Sequence, residues 1–344
     1  MIYNLSEEFY LQPFNHSFDK KGNIKFQNAN ILNSKKQNDF KIEDTVDVFK
    51  ISKNCKSNSN LKKYLNLSDR LKRINNPLTN VSFIDSHKPI IMGILNITED
   101  SFHDGGRYFN LKNALTKAEN LIKEGADIID VGGESTRPGA PVVDVQEEIK
   151  RIQPVIKELS KNNILISCDT RNSLTMKVAL DLGTKIINDV SGLNYDKNTL
   201  KLLKNYNCIY VLTHSKETPQ TMQNNAIYKN VVCDIYNFFK NKLNVIKRMN
   251  ISKERIILDP GIGFAKTLDH NYIILKNLSV FLDLGHPLMI GISRKSMIKR
   301  LCKTNTLTPS VVLAVDAYTK GAKILRVHDV QETKEAINIF KRAN

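Results

Sequence analysis

Short apolar runs alternate with amphipathic stretches from about residue 88 to the end of the chain. The apolar runs are nearly continuous, which is typical of parallel strands that are covered on both faces. Between them, apolar residues recur at helical spacing. The pattern predicts eight strands, at residues 90–98, 127–133, 164–170, 185–191, 208–214, 255–261, 287–293 and 324–330.

A helix is predicted after each strand, at residues 111–123, 145–159, 172–182, 198–204, 231–249, 269–282, 297–320 (in two pieces) and 331–342. Gly125, Gly183 and Gly321 follow three of these helices, as expected for left-handed caps. Eight such units in about 259 residues match the usual length of a (β/α)8 TIM barrel. An open doubly wound sheet is the competing arrangement, but no G-x-G-x-x-G motif follows the first strand. We therefore predict an α/β fold of the TIM-barrel type.

The first 85 residues have a different pattern of apolar and polar positions. Short apolar islands at residues 24–26 and 46–51 are separated by stretches of Asn, Lys and Ser. Residues 52–63 are almost entirely polar and predict a linker, and residues 61–74 fit one amphipathic helix. The sequence thus divides into an N-terminal extension of uncertain structure, residues 1–85, and a barrel domain, residues 86–344.

The net charge of +16 first suggests a partner that is a nucleic acid. However, the first 85 residues carry +5 and the remainder +11, so the excess is spread along the chain. Tryptophan is absent, and no zinc-finger or RNP motif is present. We therefore expect no nucleic-acid partner.

Neither a membrane segment nor a disulfide framework is indicated. No apolar run approaches the roughly 20 residues that span a bilayer, and no secretory signal is visible at the N-terminus. The five cysteines are scattered and form no C-x-x-C pair. These features predict a cytoplasmic protein without membrane contact.

Polar residues collect where the predicted strands end, which is where TIM barrels carry their active sites. Arg326 and His328 are two residues apart on one strand, so both side chains point the same way. With Arg137 they would provide the donors that a polyanion needs. Acceptors of the kind that bind an aminopyrimidine-like ring follow three other strands, at Asp169, Asn188 and Asp259.

Six motifs in this part of the chain resemble those of the dihydropteroate synthase family. They are ILNITEDSF (94–102), GGESTRPG (132–139), INDVSG (187–192), DPGIGFAKT (259–267), SRKS (293–296) and RVHD (326–329). They occur in the family's order at barrel spacing, and the resemblance covers about residues 88–341.

The resemblance implies a transferase of folate biosynthesis. It would condense 6-hydroxymethyl-7,8-dihydropterin diphosphate with p-aminobenzoate, giving 7,8-dihydropteroate and pyrophosphate. It also implies two small-molecule substrates, Mg²⁺ as cofactor and a homodimer, in a family that is the target of sulfonamides.

The resemblance assigns a role to each matching residue. Catalytic roles fall to Asn96, Arg137, Lys295, Arg326 and His328. The pterin would be bound by Asp169, Asn188, Asp259, Lys295 and Phe264, and the diphosphate by Asn96, Thr136, Arg137, Arg326 and His328. The p-aminobenzoate slot would be formed by Phe102, Thr136, Pro138, Phe264 and Ser296, and Asn96 would also be the metal ligand.

Two alternatives stay open at this point. One is another pterin-binding barrel, similar to the methyltetrahydrofolate:corrinoid methyltransferases, and the other is a catalytically inactive barrel. Under the resemblance to dihydropteroate synthase, residues 1–85 would be either a degenerate pyrophosphokinase relic or a linker-rich segment. Departures from the family pattern at Glu99, His103 and Thr213 put the first loop and the pterin contact in doubt.

Overall fold

The computed structural model describes residues 9–19, 24–34, 40–47, 61–75, 88–97, 107–135, 139–216, 226–302 and 305–343. Eight parallel strands form a closed barrel in sequence order, and the last strand pairs with the first. This confirms the predicted TIM barrel. The strands are β4 (Ile90–Asn96), β5 (Ile128–Gly132), β6 (Ile166–Asp169), β7 (Ile186–Asp189), β8 (Ile209–Thr213), β9 (Ile256–Asp259), β10 (Leu288–Ile290) and β11 (Ala322–Val327).

Helices follow the strands around the barrel, and their apolar sides pack against it. They are α2 (Arg107–Glu124), α3 (Val145–Lys161), α4 (Ser173–Asp181), α5 (Thr199–Asn205), α6 (Val231–Arg248), α7 (Leu268–Lys276), α8 (Ser296–Leu301), α9 (Leu307–Thr319) and α10 (Val330–Ala343). Gly125, Gly183 and Gly321 have φ of 102°, 105° and 94°, as their predicted cap positions require. None of the described helices is long and apolar enough to cross a membrane.

The barrel interior contains a separate apolar layer. Its buried members come from seven of the eight strands: Ile90, Met92, Ile128, Ile186, Val211, Ile257, Met289 and Ile324. Intervening residues such as Ile91 and Ile129 point outward and join the larger core beneath the helices. The inner layer closes the amino-terminal half of the barrel, so a ligand can enter only at the carboxyl ends of the strands.

The N-terminal extension contains a sheet that the hydrophobic pattern does not predict. β1 (Tyr10–Phe18), β2 (Ile24–Ser34) and β3 (Phe40–Asp47) form an antiparallel sheet in sequence order. Helix α1 (Leu61–Asn75) confirms the amphipathic helix, but it begins inside the linker predicted for residues 52–63. The last three residues of that linker are therefore helical.

This sheet and α1 pack against the barrel domain near Asp283, in a 3₁₀ turn just before β10. The Asp283 carboxylate accepts hydrogen bonds from Arg70 in α1, the backbone N–H of Leu11 in β1 and the hydroxyl of Tyr236 in α6. Asp283 precedes its strand, so the contact is at the amino-terminal end of the barrel. The extension thus covers the end opposite the polar strand termini.

Candidate active site

Polar side chains replace the apolar inner layer toward the carboxyl ends of the strands. Residues two positions apart on a strand face the same side, so each polar residue lies directly above an apolar one. Asp130 follows Ile128 in this way, and Arg326 follows Ile324. The same step leads from Met92 to Ile94 and Asn96, from Ile186 to Asn188, and from Ile257 to Asp259.

Arg326 lies at the centre of this polar layer and joins three strands. Its Nε donates to Asp130 Oδ2 and its Nη2 to Asp169 Oδ2, both at 2.6 Å. Asn188 Nδ2 donates to the same Asp130 oxygen at 3.2 Å. Only 15% of the Arg326 side chain is exposed, and the two carboxylates are buried. Two carboxylates therefore share one guanidinium.

Three buried oxygen atoms in this cluster have no hydrogen-bond partner within the described part of the chain. They are Oδ1 of Asp130, of Asp169 and of Asn188. A buried acceptor without a donor costs free energy, so such a group marks a place where a ligand donor fits. Burial raises the pKa of Asp169 to about 7. The Arg326 cation lowers this pKa, but the nearby Asp130 carboxylate offsets part of that lowering.

Lys295 and Asp259 form the next part of the site. The Lys295 ammonium donates to the backbone carbonyl of Ile262 and lies 4.4 Å from the centre of the Phe264 ring. Burial lowers the pKa of Lys295 to about 8, against the attraction of Asp259. Burial also raises the pKa of Asp259, although its Oδ1 accepts the Gly261 N–H at 2.7 Å. A Cβ at Gly263 would lie 3.2 Å from Lys295 Cδ, so this glycine leaves room for the lysine.

His328 is a neutral hydrogen-bonding group in this environment. Burial, Arg326 and Arg294 lower the pKa of His328 to about 3. Ser293 Oγ accepts the backbone N–H of His328 at 3.2 Å and lies 3.1 Å from His328 Nδ1. One of these two groups donates a hydrogen bond to the other, and the direction follows the tautomer of the neutral ring, which carries a single N–H. His328 can donate one hydrogen bond without carrying a charge.

A cavity of about 500 Å³ opens beside these groups. Six of the predicted residues line it: Asn96, Phe264, Lys295, Ser296, Arg326 and His328. Asp169, Asn188 and Asp259 lie deeper on the neighbouring strands. Phe102, Thr136, Arg137 and Pro138 lie outside the described residues, as do Glu99 and His103. The structure thus brings together every predicted site residue that it describes.

Several residues of this site were not predicted. Asp130 holds Arg326 from inside β5, and the signal was a charged residue within the apolar run Ile-Ile-Asp-Val. Ser135, Arg294 and Lys299 also line the cavity. Thr213 is buried on β8 as its strand position implied, and its Oγ1 has no hydrogen-bond partner among the described residues.

The amino-acid sequence of the barrel domain is similar to those of known pterin binding enzymes. A family model of pterin binding enzymes matches residues 92–328. The dihydropteroate synthase of Haemophilus influenzae is 40% identical over 262 residues, which cover 75% of this chain and 95% of the relative. That of Neisseria meningitidis serogroup C is 44% identical over 262 residues, or 74% of this chain and 92% of the relative. This chain belongs to the dihydropteroate synthase family. It is accordingly a transferase of folate biosynthesis, and the methyltransferase alternative is not supported.

Solved dihydropteroate synthases have the same fold. A Yersinia pestis dihydropteroate synthase in complex with a sulfonamide drug is 39% identical and matches with a TM-score of 0.70, covering 74% of this chain and 94% of that one. A Xanthomonas albilineans dihydropteroate synthase with 4-aminobenzoic acid is 34% identical, again with a TM-score of 0.70, covering 76% and 94%. A Burkholderia cenocepacia dihydropteroate synthase, complexed with 7,8-dihydropteroate, is 35% identical with a TM-score of 0.68, covering 74% and 91%.

Proposed function

We propose that the cavity at the carboxyl ends of the strands carries out the dihydropteroate synthase reaction. In that reaction the amine of p-aminobenzoate replaces the diphosphate of 6-hydroxymethyl-7,8-dihydropterin diphosphate. The observation that carries the proposal is the set of three buried oxygens around Arg326 that no described residue pairs. They match a ring that is rich in N–H donors, and the relatives that contain dihydropteroate and 4-aminobenzoic acid support the same substrates.

The pterin would lie against the deep polar layer. Asp169, Asn188 and Asp259 provide acceptors for its ring and amino N–H groups, and Lys295 provides a donor. Phe264 would contact the ring of either substrate, because it lines the cavity beside Lys295. Burial of these groups lowers the local dielectric, so each hydrogen bond to the ligand is stronger than in water.

Departure of the diphosphate would be assisted by the cations and donors at the cavity wall. Arg326 and the neutral His328 face the cavity, and Thr136 and Arg137 would complete the binding of the leaving group. The carboxylates of Asp130 and Asp169 would stabilise the positive charge that develops on the pterin methylene group. Because the aromatic amine then attacks a cationic carbon, no strong general base is required.

The cavity fits the predicted Mg²⁺ in one respect. Asn96 places an amide oxygen in the wall, and Mg²⁺ often takes one or two protein ligands together with substrate phosphates and water. Among the described residues, no group of three His, Cys, Asp or Glu is arranged for a metal ion. We infer that Asn96 would be its protein ligand, with the diphosphate as the other. The ion would neutralise charge on the leaving group.

The p-aminobenzoate would occupy the outer part of the cavity. Phe264 offers an aromatic face, and Ser296 offers a hydroxyl and a backbone N–H at the start of α8. Phe102 and Pro138 would complete this slot. A sulfonamide would compete for the same space, as the Yersinia pestis complex suggests.

Three further expectations remain proposals. They are a homodimer, a location in the cytoplasm, and the division into residues 1–85 and 86–344. The family model begins at residue 92, so the extension lies outside it. The contacts at Asp283 support a structural role for the extension, in which it covers the amino-terminal end of the barrel.

The proposed function is tested with the purified protein, pterin diphosphate, p-aminobenzoate and Mg²⁺. We expect pyrophosphate and dihydropteroate in equal amounts, and competition by a sulfonamide. Pterin binding without release of pyrophosphate would identify an inactive barrel. Omitting p-aminobenzoate is the control, since substrate hydrolysis alone would release pyrophosphate without forming dihydropteroate.

A further inference from the structure

A buried ion pair joins the loop between β5 and α3 to the turn between β6 and α4. Arg171 donates from Nε to Glu134 Oε2 at 3.0 Å and from Nη2 to Glu134 Oε1 at 2.7 Å. Only 2% of the Arg171 side chain and 5% of the Glu134 side chain are exposed. A bidentate pair fixes direction as well as distance, so the two segments are held in one relative orientation.

The Glu134 carboxylate also binds the far end of the same loop. Its Oε1 accepts the backbone N–H of Val143 at 3.2 Å. One carboxylate therefore joins the beginning and the end of the loop, and Arg171 fixes that carboxylate. The intervening span includes Ser135, which lines the cavity, and residues 136–138, which are predicted to contact the substrates.

Arg171 is itself held on the barrel side. It follows Asp169 of the pterin pocket by two residues, and its guanidinium carbon lies 4.3 Å from the centre of the Tyr195 ring. Tyr195 is 43% exposed, whereas Arg171 is buried, so the ring covers the ion pair. An arginine stacked in this way keeps its orientation when the pair forms.

A second buried carboxylate fixes the helix that follows the loop. Glu148 in α3 accepts hydrogen bonds from Asn172 at 2.8 Å and from Thr175 at 2.6 Å. A Cβ at Gly133 would lie only 3.1 Å from the Glu148 carbonyl, so α3 approaches the strand end closely. Because Glu148 already holds α3, the Glu134–Arg171 pair fixes the position of the loop and not that of the helix.

We propose that Arg171 is a positioning residue, which acts through Glu134 to hold Ser135 at the cavity wall and to join this end of the loop to Val143 at its other end. The inference rests on the proposed function, which assigns residues 136–138 to the diphosphate and p-aminobenzoate. Arg171 touches neither substrate in that assignment. Its loss therefore impairs the steps that need the loop, while Asn188 and Asp259 continue to bind the pterin ring.

The test compares turnover with pterin binding in Arg171→Met, which removes the charge at similar length. We expect kcat/KM for p-aminobenzoate to fall about 100-fold, as displacing a positioning group by about 1 Å can do. The Kd of 6-hydroxymethylpterin, which lacks the diphosphate, should not change. Hydrogen exchange of residues 139–143 should accelerate, because the acceptor of the Val143 N–H is no longer fixed.

Two further variants keep the result interpretable if Arg171→Met folds poorly. Combining it with Glu134→Gln removes the pair without leaving a buried unpaired charge. In this double variant too, kcat/KM for p-aminobenzoate should fall while the Kd of 6-hydroxymethylpterin stays unchanged. Arg171→Lys restores one charged hydrogen bond and should recover part of the turnover. Lys177→Met in α4 is the matched control, because it removes an exposed cation that pairs with Asp181.

Equal losses of turnover and pterin binding would assign Arg171 a purely structural role and overturn the proposal. Full turnover in folded Arg171→Met would also overturn it. If the wild-type chain forms no dihydropteroate, the proposed function fails instead. In that case, unchanged exchange of residues 139–143 in the variant would separately contradict the positioning role.

Discussion

Two buried carboxylate clusters lie at opposite ends of the barrel, and they differ in how fully their oxygens are paired. At the amino-terminal end, Asp283 accepts from Arg70, Leu11 and Tyr236, and one cation meets one carboxylate. At the carboxyl-terminal end, Arg326 is shared by Asp130 and Asp169, and each of these acids keeps a buried oxygen without a partner in the described part of the chain. Among the described residues, the first cluster is complete and the second is not.

The difference separates a structural contact from a binding site. A buried polar cluster stabilises a fold when every member has a partner, and it costs free energy when some members do not. The Asp283 cluster joins the N-terminal sheet to the barrel, so its loss should lower stability. The Arg326 cluster retains acceptors that have no partner among the described residues and that a ligand can pair, so its loss should lower activity.

The largest expected effect is on activity, in Arg326→Met. Removing the guanidinium takes away the donor that faces the leaving group and the cation between two acids. We expect kcat/KM for pyrophosphate release to fall by about 10²–10³, the usual cost of losing a preorganised transition-state contact. Steady-state assays at saturating p-aminobenzoate measure this. Loss of activity only in proportion to unfolded protein would contradict the assigned role.

The converse variant, Arg70→Met, should affect stability instead. It leaves Asp283 buried without its cation, and breaking such a pair costs about 3 kcal/mol. Urea unfolding should show this loss, while kcat/KM of the folded protein stays unchanged. Lys72→Met in the same helix is the matched control, because Lys72 is exposed. Reduced turnover in folded Arg70→Met would mean that the two ends of the barrel are coupled.

Most of the barrel could be predicted from local pattern alone. Continuous apolar strands, helical spacing and glycine caps are each contained within one strand–helix unit. The N-terminal sheet could not be predicted in this way, since its strands are broken by polar residues such as Asn28 and Asn30. The stability of this sheet depends on contacts with Asp283. Asp283 lies 213 residues from Arg70 in the sequence, and no local pattern near either residue indicates that they meet.

The site residues that could be predicted are polar residues at the ends of predicted strands. Asp169, Asn188 and Asp259 each terminate or nearly terminate a strand, so topology brings them together. Asp130 was missed because it lies inside its strand, and only the two-residue alternation places it beneath the ligand pocket. The neutral state of His328 could not be predicted either, because it results from burial beside Arg326 and Arg294.

The smallest effect concerns the stability cost of burying the Asp169 carboxyl, tested with Asp169→Asn. Because the pKa of Asp169 is raised to about 7 in the folded protein, the native state binds more protons than the unfolded state between about pH 4 and pH 7. Its contribution to stability is therefore fully present at low pH and is lost as pH rises through about 7. The neutral amide avoids that loss.

We thus expect Asp169→Asn to unfold at higher urea concentration than the wild type at pH 8, by on the order of 1 kcal/mol, although it binds pterin more weakly. The gain should disappear at pH 4.5, where the wild-type acid is protonated. Asp181→Asn is a control of opposite sign, because its hydrogen bond with Lys177 lowers the pKa of the exposed Asp181 carboxyl. A stability loss in Asp169→Asn at pH 8 would show that the carboxylate oxygens of the Arg326 cluster are as fully paired as those of the Asp283 cluster. The contrast between the two ends of the barrel would then be wrong.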